Sequence, residues 1–163
     1  MQTRIRQTCL FAVTALGLVV VLAGTALAQS SNPRIGTWKL NLAKSTYAAG
    51  TAPKSATFTI VAAGAGVKVT VDGVNADGTA SHWMYTANYD GKDYPVTGNP
   101  NRETVAATLV DANTLKSIYK KGGKAAVTQT SVLSSDGKTI AITSTSTDAK
   151  GQTVNSVAIY DRQ

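Results

Sequence analysis

From Gly36 to the C-terminus one pattern recurs: a short run rich in Val, Ile, Thr and Tyr, then a cluster in which Gly stands beside Asp or Asn. This spacing predicts antiparallel strands joined by tight turns, and it limits the possible folds more than any other feature of the chain. The predicted strands are 37–42, 56–62, 67–72, 81–89, 93–96, 103–110, 114–120, 125–133, 139–146 and 153–160. At 90–91, 122–123 and 136–137, Gly supplies the positive φ angles that tight turns need, and Asp tolerates them. Alternation agrees. Val67, Val69 and Val71 interleave with Lys68, Thr70 and Asp72, and Ile140 and Ile142 with Thr139, Ala141 and Thr143, so each run has one face to bury. Residues 40–47 have room for one helical turn, and no persuasive helical period follows Ala28.

Connections this short cannot make parallel crossovers, which take about a dozen residues or more. The expected fold is therefore all-β, an up-and-down antiparallel meander of about eight to ten strands. A meander of that length has edges to dispose of, and closure into a barrel removes them. The alternative is a two-sheet sandwich, whose Greek-key connections need longer excursions. Only the stretch 43–55 is long enough to cross a barrel end.

The first residues have the order of a secretory leader: Arg4 and Arg6, an apolar run from Cys9 to Leu22, then the small residues Ala26 and Ala28 before polar Gln29. Cleavage is expected after Ala28, which divides the chain into a signal peptide (1–28), a flexible lead-in (29–35) and one β-barrel domain (36–163). The membrane is then met only in transit, and the mature protein is secreted or periplasmic. An uncleaved anchor is the alternative, since the apolar run approaches the roughly 20 residues that span a bilayer. The one cysteine, Cys9, falls within the leader. The mature domain thus has no disulfide, thiol nucleophile or thiolate ligand available to it. Its 14 basic and 9 acidic residues give a net charge of +5, a weak pointer to anionic partners.

The first strand begins Gly36-Thr37-Trp38-Lys39-Leu40 and the chain ends Ile159-Tyr160-Asp161-Arg162-Gln163. This resembles the calycin barrels, the lipocalins and intracellular fatty-acid-binding proteins, which carry Gly-x-Trp on the first strand and a basic residue near the last. The resemblance implies that Trp38 plugs the closed end of a barrel with Arg162 packed over it. Residues 36–41, the stretch Tyr89 to Gly98 and the Tyr160-Asp161 ending also resemble a group of exported bacterial lipocalin-like proteins. Two departures separate the chain from the fatty-acid-binding proteins. The stretch 43–55 leaves little room for their portal helix pair, and Ala158-Ile159-Tyr160 stands where they carry the Arg-x-Tyr that holds a ligand carboxylate.

Residues that could carry chemistry are few. His82 is the only histidine, and it is either a polar group projecting into a pocket or a strand histidine on the surface. Without Cys or a spaced His partner it cannot assemble a transition-metal site, so no metal or cofactor is expected. Asp72, Asp90, Asp136 and Asp148 belong to turn signatures and Glu103 is the only Glu, which leaves no acid and base pair for an enzyme. Asp72 to Gly78 has the composition of a calcium loop, but its ligand spacing suits a hairpin better.

Trp83, Tyr85 and Tyr89 share one face of the fourth predicted strand, with Tyr94 just beyond the next turn. Facing inward they would line a ligand cavity; facing outward they would cover a sheet. Lys116, Lys120, Lys121 and Lys124 gather around the Gly122-Gly123 turn, as a solvated tip or a contact for phosphate or polysaccharide. Interleaved arginines and aromatics of the kind that bind nucleic acid are missing. The reading is an exported lipocalin-like carrier of a small apolar or amphipathic molecule, with Trp83, Tyr85, Tyr89, Tyr94 and His82 as candidate ligand residues. The alternative is an envelope interaction module with a solid core that binds a protein or polymer through its surface.

Overall fold

The computed structural model describes residues 32–147 and 151–163; the leader and its cleavage point lie outside them. Ten antiparallel strands follow in chain order: β1 (Gly36–Leu40), β2 (Ser55–Ala63), β3 (Gly66–Val74), β4 (Ala80–Ala87), β5 (Asp90–Thr97), β6 (Thr104–Leu109), β7 (Thr114–Lys121), β8 (Lys124–Leu133), β9 (Thr139–Thr147) and β10 (Thr153–Arg162). Each pairs with its neighbours in sequence, and β1 pairs with β10 to close the barrel. Every predicted strand is present to within a few residues at its ends, and the closed cylinder, not the sandwich, is the outcome. The helical turn is realised as a single 3₁₀ turn, Leu42–Lys44.

The pairs Trp38↔Arg162 and Leu40↔Tyr160 join β1 to β10, and Trp38 also faces Phe58 on β2. The seam between β4 and β5 is the thinnest, with only Met84↔Thr97 and Tyr85↔Val96 in register. Gly98, just past β5, has φ +86°, and a Cβ there would stand 2.4 Å from the His82 carbonyl oxygen. Only glycine lets the chain turn this close to β4.

Because the chain runs up and down, its connections alternate between two ends. One end carries residues 32–35, the β2–β3, β4–β5, β6–β7 and β8–β9 turns and the C-terminus; it is closed. Trp38 is fully buried there, stacked at 6.2 Å on Phe58, and the Arg162 guanidinium carbon lies 4.3 Å from its ring centre. Arg162 Nε donates to the Gly137 carbonyl at 2.7 Å and Nη1 to the Ile35 carbonyl at 2.8 Å, so the cation spans three parts of the closed end while covering the indole. Gly36 (φ +140°) makes room for it, since a Cβ would lie 2.7 Å from Arg162 Nη1.

Residues 32–35, the described part of the lead-in, pack onto the closed end. Arg34 is 2% exposed, and its carbonyl accepts a hydrogen bond from Trp38 Nε1 at 2.9 Å. The indole N–H needs an acceptor when buried, and the lead-in provides it. The first four described residues are thereby part of the plug.

Aspartates in turns and near strand ends tie neighbouring segments together. Asp161 accepts from Asn41 Nδ2 at 2.7 Å and meets Lys44. Asp111 caps the Asn113 and Thr114 amides, and Asp136 accepts from Ser134 and Lys138. These bonds hold the three carboxyls below their ordinary value of 3.8: the Asn41 side chain foremost at Asp161, the Asn113 amide at Asp111 and the Ser134 hydroxyl at Asp136. A carboxyl whose folded value is depressed adds stability above its unfolded value and loses it as pH falls through the folded one. Thermal midpoints measured across pH should therefore show the full contribution of these groups, with no pH dependence from them, between about pH 5 and 7, and a progressive fall below about pH 4. Midpoints unchanged down to about pH 2 would contradict the ties.

Candidate functional site

Alternation along the strands sends one set of side chains into the cylinder, and they do not fill it. A cavity of about 220 Å³ runs from Arg34 and Tyr89 near the plug to Pro53, Ser55 and Asn75 at the opposite end. Ser55 and Asn75 are exposed, so that end is the mouth. The two walls differ. Phe58, Ile60, Val69, Val71 and Trp83 from β2 to β4 make an apolar side, whereas Ser117 on β7 with Gln129 and Ser131 on β8 make a polar one. Gln129 Nε2 donates to Ser144 Oγ at 3.1 Å. Cavities with apolar walls and a few converging polar groups are the usual form of small-molecule sites.

The aromatic side has a definite geometry. Trp83 and Tyr119 meet edge to face at 5.9 Å and 88°, Tyr85 and Tyr119 at 6.2 Å and 76°, and Phe58 and Tyr160 at 4.7 Å. The Arg102 guanidinium carbon, from the β5–β6 connection, sits 4.8 Å from the Trp83 ring centre and 4.3 Å from that of Tyr119. Burial pushes the Tyr85 hydroxyl well above the ordinary tyrosine range, reinforced by Tyr119 and Tyr89 and opposed by Arg102. Burial likewise raises Tyr160, with Arg102 again opposing. Burial raises Tyr89 too, against the hydrogen bond from Asn32 and the Arg34 charge. All three phenols stay neutral near pH 7, as hydrogen-bonding handles and not as bases.

At the floor, Arg34 Nη1 donates to Ser131 Oγ and Nη2 to the Ser131 carbonyl, each at 2.9 Å, and Nη2 also donates to the Asn113 carbonyl. Its Nε is buried without a partner. Burial lowers the pKa of the guanidinium, yet an arginine keeps its charge. The floor of the cavity is thus positive.

The structure separates the sequence-predicted residues. Trp83, Tyr85 and Tyr89 all line the cavity. Tyr94 packs on the core outside the cavity, its hydroxyl donating to Asp90 at 3.0 Å. His82 does not reach the cavity: one position from Trp83, it takes the opposite face, exposed, with Nδ1 2.6 Å from Asp72 Oδ1. Of the four lysines, Lys120 pairs with Asp93 at 2.8 Å and Lys121 donates to the Pro100 carbonyl at 2.7 Å. That leaves Lys116 and Lys124 as the remainder of the basic patch. The Asp72 to Gly78 stretch is the β3–β4 hairpin, with Asp77 bonded to Thr79, and among the described residues no three acidic, His or Cys side chains gather as metal ligands would. Arg34, Arg102, Tyr119 and the polar wall carried no sequence signal that singled them out.

A scan against protein-family models finds no match, and a search of curated proteins finds none either. Among solved structures, the zebrafish ileal bile acid-binding protein complexed with cholic acid is similar at a TM-score of 0.50 and 15% identity, over 80% of this chain and 99% of that one. The fold is that of the calycin barrels. A further structure, EF1p2_mFAP2b bound to DFHBI, is similar at a TM-score of 0.44 and 12% identity, over 80% of this chain and 94% of that one. At these identities the likeness is one of fold. The side chains around the cavity are the chain's own.

Proposed function

We propose that this chain is an exported carrier that encloses a small apolar or amphipathic molecule inside its barrel. The observation that carries the reading is the cavity between an aromatic wall and a polar one, sealed by Trp38 and Arg34 at one end and reaching exposed Ser55 and Asn75 at the other. A surface-binding module has no use for such a space. The cholic acid complex of a barrel with the same fold agrees with the reading. The role is binding and not catalysis: His82 faces outward, and Asp72, the one acid at the cavity, spends its carboxylate on that histidine.

Export rests on the leader order and the small residues at Ala26 and Ala28. Native mass spectrometry of the protein recovered from its own cell envelope tests both parts. The expected protein begins at Gln29 and either carries a bound small molecule or takes up an added lipophilic probe. Protein that retains residues 1–28 would contradict the export reading, and protein that is empty and unresponsive to probes would contradict the carrier reading.

A further inference from the structure

Granted the carrier reading, on which this step rests, we propose that the ligand is a compact, ring-bearing organic anion whose acid group is held by Arg102 in the corner of Trp83 and Tyr119. Arg102 comes from the β5–β6 connection, and its neighbour Glu103 pairs through the backbone with Val96 and Lys120, which fixes the base of that connection. Rings stand at 4.3 and 4.8 Å from the guanidinium carbon. The carbon thus sits in the angle between two rings that stand at 88° to each other, in cation–π contact with both, and the group retains its N–H donors. Among the described residues none of those donors has an acceptor.

The nearby carboxylates are already engaged. Glu103 accepts from the Gly122 amide at 2.7 Å, Asp93 from Lys120 at 2.8 Å and Asp90 from Tyr94 at 3.0 Å. An arginine held against aromatic rings with its N–H donors unmatched suits the fork by which guanidinium binds carboxylate or sulfonate. Elsewhere in the cavity lining the one acid, Asp72, is engaged by His82 on the outer face, and Arg34 at the floor is bonded only to neutral acceptors. A cage of rings alone would suit a quaternary ammonium, but here a cation already stands in the corner and a second lies at the floor.

Size narrows the class. The cavity of about 220 Å³ falls below the roughly 300–1,000 Å³ of sites for drug-sized ligands, so a compact ring system suits it and a long lipid chain does not. The acid-binding role comes from a loop at the mouth, since Ala158-Ile159-Tyr160 puts no arginine on the last strand at this level.

The test compares two fluorescent probes of the same aromatic body, anilinonaphthalene sulfonate and neutral phenylnaphthylamine, on the whole mature protein and on R102Q and R102K. The sulfonate should bind the unaltered protein more tightly, R102Q should weaken it by at least about tenfold, and R102K should recover part of the loss. The neutral probe should be indifferent to both variants, and added salt should weaken only the sulfonate. A cooperative melt of R102Q at the unaltered temperature shows that the barrel is intact. If both probes bind and R102Q treats them alike, the inference is overturned while the carrier reading stands; a trimethylammonium probe that binds R102Q more tightly overturns it in favour of a cationic ligand. If neither probe binds the unaltered protein, the carrier reading falls and the inference falls with it.

Discussion

Replacing Trp38 with alanine should lower unfolding stability by about 3–5 kcal/mol, the range for emptying a buried aromatic site. The upper half of that range is expected here because three losses coincide. The indole is fully buried and stacks on Phe58, so its removal opens a void at the closed end. The Arg34 carbonyl loses the donor that now stands 2.9 Å away, and the Arg162 cation loses the ring beneath it. W38F should cost less, since it keeps most of the apolar volume and gives up the N–H, an unpaired buried acceptor being worth about 1–3 kcal/mol. Urea titrations followed through Trp83 fluorescence measure both variants. A loss under about 1 kcal/mol for the alanine variant would show that the barrel does not depend on this plug.

The second large effect is on binding. Ser117 is buried on β7, facing the cavity, and its outward neighbour Lys116 pairs with Thr108 and Thr130 on the outer surface. S117F should fill the space between the polar wall and Trp83, Tyr85 and Phe58. Binding of lipophilic probes should then become undetectable at concentrations that saturate the unaltered protein. Stability should hold or rise, because the new ring enters an existing void and does not force a packed core apart. K116F, one residue away and on the other face, should leave probe binding unchanged. Fluorescence titration with a melting curve on each variant separates these outcomes. S117F that is folded and still binds would place the ligand outside the cylinder.

Most strands were legible in the sequence because short turns bearing Gly, Asp or Asn bound them and several bury one parity of side chains, as Val67, Val69 and Val71 do on β3. The same alternation placed Trp83 and Tyr85 on one face and left open which face was inner. The barrel closure decided it and sent His82 outward. Composition could not locate the polar wall: β8 carries Gln129 and Ser131 inside and Thr128 and Thr130 outside, so neither parity reads as buried. The two cavity arginines were hidden for a different reason. Arg34 precedes the first strand and Arg102 sits in a connection, where no period exists to say which way a side chain points. Arg34 is buried because the plug needs its carbonyl for Trp38 and its guanidinium for Ser131 and Asn113, contacts about 80 to 100 residues away along the chain. Gly36 and Trp38 meet Arg162 across a similar distance along the chain, the glycine clearing space for the guanidinium and the indole lying beneath it, and it was the resemblance, not a period, that pointed to this contact.

The most direct measurement is a set of nuclear Overhauser contacts between a bound probe and the labelled protein. Contacts from the probe to the ring protons of Trp83 and Tyr119 and to the methyl groups of Ile142 and Val71 are the expected result, since all four line the cavity. Contacts confined to outward groups such as Lys116, Thr130 and Thr143 would contradict an interior site.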